Sequence, residues 1–236
     1  MRLRRPFERA TGDQLVPEAV DGIWFRDDFV TKLDSAFGVT AGGVNTATTD
    51  AGVNHPTCVN QQVTAVGDAA RILTENASNA MQMSASGEFY VEACVAIPVL
   101  SDGVNNIVVR AGFGDNAGAG DFTDGVYFEY DLATHGHGRW MLCAANNAVR
   151  TKTDTGIAAI TGFQVIRASL TADSTSLTGM VSGVPCAAAV TTNIPTARSS
   201  GPELMSVKQL GAGLLFTSWD WWEFRKLFFA TRNAIA

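Results

Sequence analysis

Between Glu88 and Leu227 the chain repeatedly places apolar side chains on every second residue, and this period of two restricts the fold more than any other feature. "EFYVEACVAIPV" puts Phe89, Val91, Ala93, Val95, Ile97 and Val99 on one face, and "NNIVVRAGFG" does the same with Ile107, Val109, Ala111 and Phe113. "DGVYFEYDL" predicts Val126, Phe128, Tyr130 and Leu132 inward, with Tyr127, Glu129 and Asp131 on a solvated outer face. "ATHGHG" reads as a turn and "RWMLCAA" as the returning strand, while "GFQVIRASL" and "SLTGMVSGV" flank the hairpin turn "TADST". No segment sustains a helical period, although "VGDAARILTENASNAM" has room for a helical turn. Short strands separated by turn signals predict an all-β, antiparallel β-sandwich.

The same rule applied to the ending "SWDWWEFRKLFFATR" places Trp219, Trp221, Glu223, Arg225 and Leu227 on one face. Asp220, Trp222, Phe224, Lys226 and Phe228 fall on the other. Trp221 and Trp222 must face opposite ways, so a closing strand with a core face and a contact face is expected. Trp219, Trp221 and Trp222 are the candidate interaction residues there.

Charge divides the chain. The first ten residues hold Arg2, Arg4, Arg5 and Arg9 against Glu8, a net of +3, so the remainder carries −9 of the total −6. Residues 1–22, with Pro6 and Pro17, read as an extended N-terminal arm, and residues 23–236 as one sandwich domain. An acidic balance argues against a nucleic-acid partner. No apolar run reaches the roughly 18 residues of a membrane-spanning helix, and the basic start is not followed by the apolar stretch of a secretory signal. Cys58, Cys94, Cys143 and Cys186 form no C-x-x-C pair and read as free, mostly buried thiols.

The order of segments from Asp27 to Arg232 resembles a known module. "RDDFVTKLD", "GEFYVEACVAI", "RAGFGDN", "DGVYFEYD", "RWMLCAANNAVRTKTDTGIA", "GFQVIRASLTADSTSLTGMVSGV", "TTNIPT" and "WDWWEFRKLFFATR" follow one another as in the concanavalin A-like (laminin-G-like) jelly-roll modules of tailed-bacteriophage structural proteins. The resemblance implies two packed antiparallel sheets and a place in the virion as a head decoration protein, a fibre or a tail component. The first 22 residues lie outside it.

This fold also hosts glycosidases, whose laminarinase-like members carry E-x-D-x-x-E on one strand. Here Glu129 and Asp131 are present, but Ala133 and Thr134 follow and the third carboxylate is missing. The expectation is therefore no catalytic residue and no enzyme. Asp115, Asn116, Asp121 and Asp124 in "GDNAGAGDFTDG" are weak calcium candidates, because Asp and Asn also serve as ordinary turn residues. His135 and His137 lack a third zinc ligand, so neither a metal nor another cofactor is expected. Tyr127, Tyr130 and Trp140 are the aromatic candidates for glycan contact. The expected role is head decoration, with the arm docked on the major capsid protein or another virion protein, in a homo-oligomer. The alternative is a tail- or fibre-associated module that binds a host surface glycan.

If the arm is the anchor, deleting residues 1–22 leaves the melting temperature unchanged and weakens binding to particles that lack this protein. Replacing Arg2, Arg4 and Arg5 by Ala reproduces part of that loss in a salt-sensitive manner. Full-affinity binding by the truncated chain would remove the arm from the anchoring role.

Overall fold

A computed structural model describes residues 22–27, 38–48, 57–73, 81–82, 88–115, 118–196 and 198–227. The arm, with Arg2, Arg4, Arg5 and Arg9, lies outside the described residues. Two antiparallel sheets contain nearly all of the regular structure.

The first sheet runs in the order β14 (Val184–Pro185), β13 (Leu177–Val181), β12 (Gln164–Leu170), β7 (Phe89–Ala96), β16 (Leu215–Leu227), β4 (Cys58–Val63) and β3 (Val44–Thr48). Strand β1 (Gly22–Asp27) pairs with the far half of β16. The second sheet runs β11 (Val149–Ala158), β10 (Arg139–Asn146), β9 (Gly125–Asp131), β8 (Asn106–Gly114), β15 (Ser199–Leu210), β5 (Ala69–Leu73) and β2 (Gly38–Ala41), with β6 (Met81–Gln82) beside the start of β15. One short helix, α1 (Leu132–His135), interrupts the β9–β10 hairpin where a turn is expected. Among the described residues no helix is long and apolar enough to cross a membrane.

The core lies between the sheets and is built from the alternating residues. Val91, Ala93 and Val95 of β7 face Ile107, Val109, Ala111 and Phe113 of β8 and Val126, Phe128 and Tyr130 of β9. Val99 is an exception: β7 ends at Ala96, and Val99 is exposed in the turn that follows. Where the sequence leaves room for a helical turn, residues 69–73 form β5 instead, and Ala69, Ala70 and Ile72 are fully buried there. The Trp140 indole donates to Gln164 Oε1 at 3.0 Å. Gln61 joins the two layers: it donates to the Leu204 carbonyl of the opposite sheet at 3.0 Å, while its oxygen accepts from Ser206 at 2.7 Å and from the Trp219 indole at 2.9 Å. Each of these buried polar groups therefore has a partner, as burial demands.

The ending departs from strict alternation. Trp219 pairs with Val95 and Trp221 with Cys94, so Asp220 is an extra residue opposite none, a β-bulge. The bulge reverses the parity of the strand. Trp219 and Trp222 both point into the core with no exposed surface, and Phe224 follows them. Trp221 is half-buried on the outer face with the Arg26 guanidinium 5.1 Å over its ring. Trp219 and Trp222 therefore cannot make outer contacts, and of the three only Trp221 remains on a contact face. None of the four cysteines forms a disulfide, and Cys58, Cys94 and Cys143 are buried.

Replacing Trp219 or Trp222 by Ala is expected to cost about 3–5 kcal/mol of stability, and Trp221→Ala less than about 1 kcal/mol. Urea unfolding of the three variants checks this, and equal losses would contradict the assigned parity.

Candidate functional site

Glu129 and Asp131 project from the outer face of β9, but that face is not solvated. Residues 118–124 fold back across β8 to β11, and the side chains beneath them are buried. In cross-strand register Glu129 stands between Arg110 on β8 and Met141 on β10. Its carboxylate accepts from Arg110 Nε at 2.7 Å, from Lys152 Nζ at 2.7 Å and from His135 Nε2 at 2.8 Å. His135 is delivered by α1, whose start is capped by Asp131 accepting from the Thr134 amide at 3.0 Å. The E-x-D pair is thus divided between an ionic anchor and a helix cap.

The covering segment is held by the same cations. Arg110 donates to the Gly120 carbonyl at 3.0 Å and pairs with Asp121. Lys152 reaches Asp121 at 3.1 Å, and Arg150 donates to the Phe122 carbonyl at 3.1 Å. Phe122 is fully buried and meets the Tyr127 ring edge to face at 4.8 Å, beside Gly114, where a Cβ would lie 2.5 Å from the Phe122 ring. Burial pushes the Glu129 carboxyl upward, but His135, Arg110 and Lys152 outweigh it and hold the group well below the usual carboxylate range. An ionised carboxylate with three donors does not serve as a proton donor. Beside it Cys143 is fully buried, and burial pushes its thiol up, away from the reactive thiolate. Further along the same face Glu203 and Arg71 form a second buried pair at 2.5 Å.

The remaining sequence candidates fall as follows. Tyr127 and Trp140 have no exposed surface and Tyr130 is 1% exposed, so none of the three offers a platform for a glycan; they pack in the interior instead. Asp115 accepts from the Thr123 amide at 3.0 Å, Asp124 accepts from the Asn147 amide at 2.7 Å, and Asp121 is taken up by cations. Among the described residues no group of three His, Cys, Asp or Glu is placed to hold a metal ion. His135 and His137 stack 6.0 Å apart, each turned to a different carboxylate.

The outer face of the other sheet holds an open pocket of about 290 Å³. Thr178 on β13, Ser169 on β12, Tyr90 on β7 and Arg225 on β16 stand directly opposite one another in register and form its floor and wall. Glu88 and Thr171 stand at its rim, where β7 begins and β12 ends. Tyr90 is fixed from two sides. Its hydroxyl donates to Glu223, and the Arg167 guanidinium lies 5.4 Å over its ring while pairing with Glu92. Burial and the bond to Glu223 push the Tyr90 hydroxyl up to about 12, against Arg225, so it stays protonated at neutral pH. The sequence carries a faint signal for this row, since Tyr90 and Ser169 fall on the outward parity of their strands; Arg225 was hidden by the bulge.

No family model and no curated protein matches the sequence. Solved structures do match in shape. Peanut lectin, bound to a nine-residue peptide, aligns over 89% of this chain and 100% of its own, with a TM-score of 0.59 and 11% identity. A glycoside hydrolase family 16 endo-glucanase from Bacteroides ovatus aligns over 85% and 99%, with a TM-score of 0.55 and 12% identity. A carbohydrate esterase from the Shiga toxin-encoding bacteriophage phi24B aligns over 80% and 89%, with a TM-score of 0.53 and 11% identity. The chain therefore has the concanavalin A-like jelly-roll fold, shared by carbohydrate-binding proteins and glycan-active enzymes. This corrects the expectation that the chain is not an enzyme: a missing third carboxylate excludes one arrangement of one enzyme type, whereas the endo-glucanase and the esterase show that the fold carries enzymes.

Because the folded Glu129 titrates below its ordinary 4.5, its stabilisation is complete above about pH 4.5 and is lost as pH falls through the folded value. Glu129→Gln, which strands Arg110 and Lys152, is expected to cost about 3–5 kcal/mol at pH 7 and to flatten the loss of stability on acidification. Urea midpoints of both proteins at pH 7 and about pH 3.5 test this; parallel pH dependences would contradict the assigned role of Glu129.

Proposed function

We propose that this chain is a carbohydrate-recognising jelly-roll module of a tailed-phage particle, associated with the tail or a fibre and directed at a glycan of the host surface. The observation that carries the reading is the sandwich itself, whose lectin and endo-glucanase neighbours align over nearly their whole lengths, together with a hydroxyl-lined pocket open on one sheet face. The order of sequence segments supports a place in the virion, and one neighbour is a phage protein that acts on carbohydrate by its description. The open pocket and the lectin and carbohydrate-esterase neighbours support the tail-associated alternative over head decoration. Homo-oligomerisation would add avidity to weak single sites.

The purified chain is expected to bind a subset of host-surface glycans on an array, and to occur in purified virions at a copy number far below that of the shell protein. The same preparation should be assayed for release of sugar or acyl groups from each bound glycan, which separates a binding module from an active one. Binding to no glycan, with a shell-like copy number in the particle, would overturn the proposal in favour of decoration.

A further inference from the structure

The pocket on the β13–β12–β7–β16 face has a shape set by the sizes of its row. Ser169 and Thr178 are short, and Tyr90 and Arg225 beside them are tall, so the pleat steps down from a wall to a floor. Phe89 and Leu170 close the base from the core side. A volume of about 290 Å³ lies at the low end for small-molecule sites, with room for one or two sugar rings and not for a longer chain.

The chemistry of the lining narrows the ligand further. Tyr90, Thr171 and Thr178 donate their hydroxyl protons to Glu223, Asp173 and the Ser169 carbonyl, so they offer a sugar hydroxyl acceptor lone pairs, while the Ser169 hydroxyl can both donate and accept. The cations on this face differ in how they are used. Arg167 pairs with Glu92, and Arg26 approaches Glu223 at 3.9 Å. Arg225 has no carboxylate within ion-pair distance among the described residues, and it lines the pocket half-buried. A guanidinium so placed presents a planar fork of donors that matches a carboxylate with two parallel hydrogen bonds. Glu88, the one acid in the lining, is exposed at the rim, where solvent screens it. Tyr90 is already immobilised by Glu223 and Arg167, so little ordering is required when a ligand enters.

We propose that this pocket binds a carboxylate-bearing sugar, a uronic or sialic-type residue of an acidic glycan, with Arg225 on the carboxylate and Ser169, Thr178 and Tyr90 around the ring. The assignment rests on the carbohydrate reading above and adds to it a location and a ligand class.

The experiment is calorimetric titration of the full chain with oligogalacturonate, oligomannuronate and sialyllactose, and with lactose and cello-oligosaccharides as neutral probes. One or more acidic sugars should bind, and the neutral ones should bind at least tenfold more weakly. Arg225→Gln should weaken acidic-sugar binding about 10- to 100-fold, as expected for loss of a charge-assisted pair. Ser169→Leu should abolish binding by filling the floor. Arg139→Gln, on the opposite sheet, should leave it unchanged, with melting curves confirming that all variants fold. If a sugar of either class binds and Arg225→Gln binds it as tightly, the pocket assignment falls while the carbohydrate reading stands. If no sugar, acidic or neutral, binds the wild-type chain, both fall.

Discussion

One extra residue in β16 decides what both layers of the molecule present. With strict alternation, Trp219, Trp221, Glu223 and Arg225 would share a face, and seating the two tryptophans in the core would carry Glu223 and Arg225 in with them. Burying those charges without partners would cost far more than the indoles gain. The bulge at Asp220 spares Glu223 and Arg225 that burial, and the one charge left on the inward parity is Lys226, buried near the end of the strand. Trp219, Trp222 and Phe224 enter the core, and Trp221, Glu223 and Arg225 turn outward. Arg225 then aligns with Tyr90, Ser169 and Thr178, so the pocket and the packing of the closing strand follow from the same local irregularity. Bulges that re-aim side chains are a recurrent device of sheets.

The two outer faces have opposite fates. The β8–β11 face is charged, and it is sealed because its charges are complementary to a segment of the same chain: Arg110, Arg150 and Lys152 converge on Asp121, Glu129 and the carbonyls of Gly120 and Phe122. Taking one member away leaves partners buried and unpaired, so the network acts as a unit. The β12–β7–β16 face has its charges paired in place, Arg167 with Glu92 and Arg26 with Glu223, and keeps Arg225 at an opening. Ionic material is abundant on both sheets, and the open pocket lies on the second. Between them the Gln61 network joins β4 and β16 to β15, so the open face sits on a layer tied to the sealed one.

Much of this sandwich was legible from alternation. Strands β7 to β10, β12 and β13 and their inward residues follow the period of two, because each has one face on a common core. The rest was hidden for identifiable reasons. "SSGPELMSVKQL" does not read as a central strand, yet β15 carries Pro202, Glu203 and Lys208 within it. Pro202 stands opposite Phe113 of β8, and on its other side it falls between the residues that pair with β6 and those that pair with β5. Glu203 is tolerated because Arg71, two positions along the neighbouring strand from its register partner, pairs with it. Glu129 was read as solvated because nothing local reveals that an Asp- and Gly-rich loop will close over it. Tyr127 and Trp140 looked available to a ligand by residue type alone, and each proves to be fully buried. Residue type does not carry position relative to the covering segment and the bulge, which is a tertiary property.

The central claim, that the chain meets carbohydrate at the Arg225 pocket, is tested most directly by mapping amide chemical shifts of the isotopically labelled chain during titration with an acidic oligosaccharide that it binds. The account predicts shifts centred on Glu88 to Tyr90, Ser169 to Thr171, Thr178 and Arg225, with the amides of residues 118–124 and of Glu129 unmoved. Shifts centred on the segment over Glu129, with the Arg225 row silent, would contradict it.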